Sequence, residues 1–144
     1  MKLLGFSIVD DFISLQCDAR RFDLHNDFEF VEFLYNLTKR TLVLRWHRRS
    51  RKWVKPTDPV ELRLAFSGVY LFKVRERDPD VPYTEDDCLS AIGFMWDDMV
   101  EEMNGFARNE PIEGCTQVAA MFMSGLSIKV GAESVALVVT EAPV

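Results

Sequence analysis

The sequence predicts a mainly β protein, α+β at the margin: an antiparallel sandwich or rolled sheet of hairpins with one acidic helical segment within residues 85–103. Several short segments alternate apolar and polar residues, turn-forming residues separate them, and no βαβ rhythm accompanies them. A chain of 144 residues can bury a core without a covalent staple. We therefore expect a single globular domain, residues 1–144.

The stretch 59–75 carries the clearest strand pattern. Its first half places Val60, Leu62, Leu64 and Phe66 on one face of an extended strand. Ser67-Gly68 follows as a two-residue turn or bulge, because glycine adopts positive φ at little steric cost. The second half, 69–75, is apolar on both faces at its start, as in a strand inside a packed sheet. The pattern predicts a central hairpin.

Other hairpins flank this one along the chain. A first hairpin is predicted from 2–9 and 12–17 around Asp10-Asp11, because residues 13–17 alternate apolar and polar side chains. A second is predicted from 28–37, which is rich in aromatic and β-branched residues, and 41–47, where Leu42, Leu44 and Trp46 share one face. The last third reads as a β-meander with strands at 115–123, 126–130 and 134–140.

The segment 84–105 indicates helix. Thr84 is a good N-cap and is followed by three acids, which the helix dipole favours in a first turn. Apolar residues then recur at spacings of three or four: Leu89, Ile92, Trp96, Met99, Val100 and Met103. Gly93 costs about 1 kcal/mol inside a helix, so we expect an interrupted helix. The alternative is a strand at 92–96 between two shorter helical turns.

A loose pattern across 24–75 resembles that of small uncharacterised bacterial proteins. Its parts are the run 24–28, Leu-His-Asn-Asp-Phe, followed by the strand segments 41–44 and 60–66. In those proteins a turn containing His and Asp precedes an antiparallel sheet, whereas here Asn26 separates His25 from Asp27. Some proteins of this kind are immunity proteins that neutralise toxins, so the resemblance implies a binding function. It carries over no catalytic residue.

Charge is segregated along the chain. The net charge is −6, yet residues 39–55 hold eight basic residues and no acid, and residues 78–113 hold eleven acids against Arg108. The basic run, with Trp46 and Trp53, has the composition of a nucleic-acid footprint. A nucleic-acid-binding domain is normally basic overall, so we predict a solvated loop and no nucleic-acid partner. The predicted basic patch comprises Arg48, Arg49, Arg51 and Lys52.

The acidic run is the predicted partner-binding surface. On a helix, Asp97, Asp98, Glu101 and Glu102 share one face, and such a surface steers a basic protein partner by long-range attraction. Clustered carboxylates are also the ligands of Mg²⁺ and Ca²⁺. No EF-hand spacing accompanies these four, so we predict no metal.

Catalytic and targeting signals are sparse. His25 with Asp23 and Asp27 offers an acid–base group, but no nucleophile elbow or phosphate-binding glycine loop accompanies it. We therefore predict a turn histidine and no cofactor. The scattered cysteines Cys17, Cys88 and Cys115 indicate reduced thiols and a cytoplasmic location. No apolar run is long enough for a membrane helix.

These observations favour a non-enzymatic, cytoplasmic protein-binding domain of immunity type that presents an acidic surface to a basic partner. Two alternatives stay open. One is a small-ligand binder or enzyme whose pocket is lined by Phe30, Tyr35, Tyr70 and Trp96. The other is a homo-oligomeric structural subunit, because some of the abundant aromatic residues could be interfacial.

Overall fold

The structure is a computed structural model that describes residues 1–143. In it the chain forms short strands joined by turns and loops. The strands are β1 Lys2–Leu4, β2 Ser7–Ile8, β3 Ser14–Cys17, β4 Arg20–Asp23, β5 Phe28–Asn36, β6 Thr41–Arg48, β7 Glu61–Ser67, β8 Leu71–Arg75, β9 Leu89–Met95, β10 Gln117–Phe122, β11 Ser127–Gly131 and β12 Ser134–Thr140. One turn of 3-10 helix, Tyr83–Glu85, precedes β9.

The strands form three sheets. A five-stranded front sheet has the order β1-β12-β7-β6-β5, a four-stranded back sheet has the order β8-β11-β10-β9, and a small sheet has the order β2-β3-β4. Every pairing is antiparallel except that of β1 with β12, which is parallel. The predicted mainly β, antiparallel class is therefore confirmed.

The front and back sheets face each other across the core. Alternation in β6 and β7 buries Leu42, Leu44 and Trp46 on one strand and Leu62, Leu64 and Phe66 on the next. Aromatic contacts join the layers: the Phe30 ring lies 4.6 Å from that of Phe122, and the Tyr35 ring lies 4.7 Å from that of Phe72. The small sheet adds Ile8, Leu15 and Phe22 to the same core.

The strands of the predicted central hairpin exist, but they do not pair with each other. β7 lies between β6 and β12 in the front sheet, whereas β8 pairs with β11 in the back sheet. Gly68 adopts φ +66°, and Val69 behind it is buried as the chain passes between layers. The predicted meander is broken in the same way, because β10 and β11 form a hairpin while β12 crosses to the front sheet. The predicted pair β5–β6 does form. The predicted first hairpin forms only in part, because Ser7–Ile8 pairs with β3 while Lys2–Leu4 is a separate strand that pairs with β12.

The predicted helix within 85–103 is wrong. Residues 89–95 form β9, which pairs with β10 along its length, and residues after it belong to a long loop. The alternative of a strand near 92–96 is closer to the structure. Both faces of β9 are largely covered, so its apolar residues no longer show a clean period of two and mimic helical spacing.

A membrane-spanning helix is not found within residues 1–143, since none there combines the required length and apolar character.

Candidate functional site

The predicted partner-binding residues lie in the loop between β9 and β10. We call residues 96–114 the acidic loop. Its two ends are joined at the base, where the Asp97 amide donates to the Gly114 carbonyl at 2.8 Å. The Asp97 carboxylate accepts bonds from the Thr116 amide at 2.8 Å and from the Thr116 hydroxyl at 3.0 Å. Asp97 therefore fixes the entry and exit of the loop.

The acidic loop crosses the outer face of the back sheet and is bound there by a buried lysine. Lys129, in the middle of β11, is 0% exposed. Its ammonium group donates to three main-chain oxygens, those of Met99, Val100 at 3.4 Å and Glu102 at 3.1 Å. Burial, the largest influence, lowers the pKa of Lys129. A cation is thus held under the loop by backbone dipoles rather than by the loop's carboxylates.

Two more basic residues of the back sheet bind the same stretch. Lys73 on β8 donates to the Val100 carbonyl at 2.8 Å and lies 3.6 Å from the Glu101 carboxylate. Arg75 donates to the side chain of Asn104. These bases are largely engaged by backbone and amide groups, so most of the negative charge on the outer surface of the loop is left without a close partner.

The return path of the loop is fixed by an aromatic contact. The Phe106 ring lies over Gly93 of β9 and stacks on Phe12 with 4.5 Å between ring centroids. Arg108 then forms a bridge with Phe94 at the edge of β9. The outer face of the back sheet is therefore covered by the loop, which explains why β11 is buried on both faces.

The outward surface of the acidic loop combines acids with exposed apolar side chains. Asp98, Glu101 and Glu102 are exposed, with 91% of the Glu101 side chain accessible to solvent. Trp96 is 40% exposed and Val100 is 51% exposed. A shallow depression of about 570 Å³ is lined by Trp96, Asp97, Asp98, Met99 and Gly114. Acids around exposed aromatic and aliphatic groups are a composition suited to protein contacts.

The four predicted acids are thus close in the chain but differ in role. Asp97 is turned inward to Thr116, while the other three face outward from a loop rather than from one helix face. Within residues 1–143, no three His, Cys, Asp or Glu side chains converge in a way that could hold a metal ion. Lys129 was not predicted as a site residue, although a lysine within the apolar strand Ser127–Gly131 was an available signal.

The predicted basic patch is divided between structural and exposed residues. Arg48 donates to the Pro56 carbonyl at 2.9 Å and the Asp58 carbonyl at 2.7 Å, which holds the 49–58 loop. Arg49 is mostly buried and pairs with Asp87 at 3.1 Å. Arg51 and Lys52 are exposed at the rim of a shallow depression of about 520 Å³. Two of the four residues therefore serve the fold.

His25 lies beside a cysteine that the sequence analysis did not connect with it. Its Nδ1 atom is 2.6 Å from the Leu89 carbonyl oxygen and 3.4 Å from Cys88 Sγ. Burial, the largest influence, raises the pKa of the Cys88 thiol. The thiol is therefore protonated at neutral pH, whereas an activated nucleophile requires a lowered pKa. The carboxylate of Asp23 binds the His25 amide at 2.9 Å and so caps the turn.

The aromatic residues proposed to line one pocket lie at separate places. Phe30 and Tyr35 are on β5, the Tyr70 ring covers Gly131, and Trp96 is on the acidic loop. Phe30 does line a groove of about 450 Å³ beside β5, together with Val31, Phe33, Val74, Tyr83 and Leu126 among others. The four residues do not converge on a common cavity.

Fold and surface together define an all-β protein of two facing sheets that displays an acidic, partly apolar loop on the outer face of the back sheet. No protein-family model matches this chain, and comparison with curated proteins and with solved structures finds no significant match.

Proposed function

We propose that the protein is a non-enzymatic, cytoplasmic binding protein of immunity type whose acidic loop recognises a basic protein partner. One observation carries the proposal. Asp98, Glu101 and Glu102 are exposed, while the nearby Lys129 and Lys73 are committed mainly to main-chain oxygens. Among the ion pairs of residues 1–143, Glu101 is the only one of these three acids that takes part, with Lys73 at 3.6 Å, so the loop presents concentrated negative charge to solvent.

The mixture of side chains on the loop supports specific binding in addition to electrostatic steering. Exposed carboxylates accelerate the approach of a basic surface, an effect that weakens as salt screens the charges. Trp96, Met99 and Val100 are partly exposed among these carboxylates. A few buried residues, tryptophan prominent among them, account for most binding energy in an interface, and surrounding charges set specificity.

Anchoring of the loop also favours recognition. The Asp97–Thr116 bonds fix its base, Lys129 fixes its middle and Phe106 fixes its return path. A surface that is ordered before binding loses less conformational entropy in the complex. The acidic loop is thus a preorganised surface.

The proposal is tested by affinity capture from native lysate of the source cells, with mass spectrometry of what is bound. Glu102→Lys reverses one exposed loop charge and Trp96→Ala removes the aromatic group. Asp10→Lys, at another exposed acid, is the matched control because it changes the net charge equally. We expect the wild type and the control to retain the same basic protein, and both loop variants to lose at least about tenfold of it.

Two results would contradict the proposal. One is equal loss with Glu102→Lys and with Asp10→Lys, which would indicate a general charge effect. The other is capture that is unchanged by both loop variants, which would place the binding surface elsewhere.

A further inference from the structure

The free edge of β5 is a second surface with its own features. β5 is the outermost strand of the front sheet, and it is nine residues long. Leu34 is 55% exposed, Leu37 just beyond it is 69% exposed, and Val31 and Phe33 are also exposed. Apart from its hydrogen bonds to β6, the main chain of β5 is bonded at Phe30, whose amide donates to the Asp87 carbonyl. An unpaired strand edge bordered by apolar groups is a template for a further strand.

The other sheet edges are protected. β1 has three residues, β8 carries Lys73 and Arg75, and the edge of β9 is bridged by Arg108. β4 begins with two arginines. Short length, basic residues and covering loops are the devices by which proteins prevent edge-to-edge association. β5 instead is long and carries exposed apolar groups. A further strand can therefore pair with β5, whereas the features of the other edge strands oppose such pairing.

We infer that β5 pairs antiparallel with β5 of a second copy of this chain. The charges around the strand are arranged for that orientation. Glu29 lies in its first half, 43% exposed and 4.0 Å from Arg49, and Lys39 follows in the turn to β6, whereas Glu32 is already paired with Arg45 at 2.8 Å. Antiparallel pairing brings the acidic half of one strand towards the basic turn of the other. A parallel arrangement would place like charges together.

A twofold axis at Leu34 gives a favourable register. It places Leu34 opposite Leu34 of the second copy, and Phe33 opposite Tyr35 of the second copy. The β-bulge between Phe30 and Glu32 limits regular pairing to residues 32–36. Apolar and aromatic side chains that face each other across two strands are stabilising.

Symmetry extends the contact to the second layer. Antiparallel pairing of identical strands requires a twofold axis perpendicular to the sheet, so the back sheets of both copies lie on the same side. The edge strand β8 of one copy then lies on the same side as β8 of the other, but Lys73 and Arg75 oppose direct pairing of these two strands. Exposed Val74 on β8 and Tyr83 nearby, both lining the groove beside β5, would become covered. This contact has the isologous form of most dimers.

Sedimentation equilibrium and disulfide trapping test the inference. Leu34→Cys should form a disulfide-linked dimer under mild oxidation. Val138→Cys, exposed on the same sheet face but on β12, should not, and neither should the wild type with its own three cysteines. Leu34→Lys, which places two ammonium groups at the axis, should raise the dimer dissociation constant at least tenfold with unchanged thermal unfolding of the monomer.

A charge exchange provides the register test. Lys39→Glu should weaken the dimer about fivefold, and Glu29→Lys with Lys39→Glu should restore it. Glu102→Lys on the acidic loop should leave dimerisation unchanged, which separates this inference from the proposed function. A wild type that remains monomeric at high concentration would overturn the inference. So would a dimer that Leu34→Lys does not weaken, or a β5 edge that captures only foreign peptides.

Discussion

The ammonium group of Lys129 donates to the main-chain carbonyl of Glu102 at 3.1 Å, beneath a residue whose own carboxylate faces solvent. A buried cation usually requires a carboxylate partner. Here three carbonyl oxygens solvate it, so the loop is bound while the carboxylates of Asp98, Glu101 and Glu102 stay exposed to solvent. Structural anchoring and surface charge are thereby separated within one segment.

Replacement of Lys129 by Met should destabilise the protein and release the acidic loop. Three carbonyls lose their donor, which costs about 2–3 kcal/mol in the free energy of unfolding. Urea unfolding measures this cost, and hydrogen exchange should show lower protection at the bonded amides of Met99 and Gly105. Lys52→Met, at an exposed loop residue, is the control. Equal stability and unchanged exchange would show that the lysine does not anchor the loop.

Gly93→Ala should displace the return path of the loop. A Cβ atom at residue 93 would lie 2.8 Å from Phe106 Cγ and 3.1 Å from the Arg108 carbonyl oxygen, and such overpacking costs about 1–3 kcal/mol. The same change in a Phe106→Ala background should cost less, because the ring no longer occupies that space. A double-mutant cycle measures the difference. Additive effects would mean that Gly93 and Phe106 act independently.

Glu61 should stabilise the front sheet in a pH-dependent way. Its carboxylate accepts bonds from Arg45 at 2.8 Å and Arg63 at 2.9 Å, two cations directly opposite each other on β6 and β7. The Arg45 bond, the largest influence, lowers the pKa of Glu61 below its ordinary 4.5. Its contribution is therefore complete above pH 4.5 and is lost as pH falls through the lowered pKa.

The measurement is urea unfolding of Glu61→Gln at several pH values. At pH near 7 the variant should be about 1–2 kcal/mol less stable than the wild type, and the difference should shrink in acid. Glu76→Gln, at an exposed acid on the same protein, should show no comparable effect. A difference that stays constant into acid would contradict the role assigned to the Glu61 charge.

Cys88 should react slowly with alkylating reagents at neutral pH. Burial raises the pKa of its thiol, so little thiolate is present. Mass spectrometry of the Cys88 peptide should show slower labelling in the native protein than in urea, and His25→Gln should not slow it further. Rapid native labelling that depends on His25 would instead indicate an activated cysteine, and with it an enzymatic function.

Sequence patterns predicted which residues form strands better than they predicted which strands pair with each other. The alternation in β6 and β7 correctly predicted their buried faces, since one side of each meets the core. Alternation carries no information about pairing, so β7 and β8 were assigned to one hairpin although they belong to different sheets. The helix prediction failed for β9 because a strand covered on both faces loses its period of two.

The acidic loop was predicted in composition but not in form. Its carboxylates were visible in the sequence, and three of them are exposed as expected of a binding surface. Its anchor was not predicted, because Lys129 is 27 residues from Glu102 in the chain and only the fold brings them together. Non-local contacts of this kind leave no spacing signal in a single sequence.

The parallel pairing of β1 with β12 has a consequence for biosynthesis. Lys2 and Ser134 are partners, so the front sheet cannot close until β12 has emerged from the ribosome. Until then β7 lacks one of its two neighbours. A nascent chain with such an open strand is vulnerable to aggregation during translation, and folding should be slow for a domain of this size because its closing contact spans most of its length.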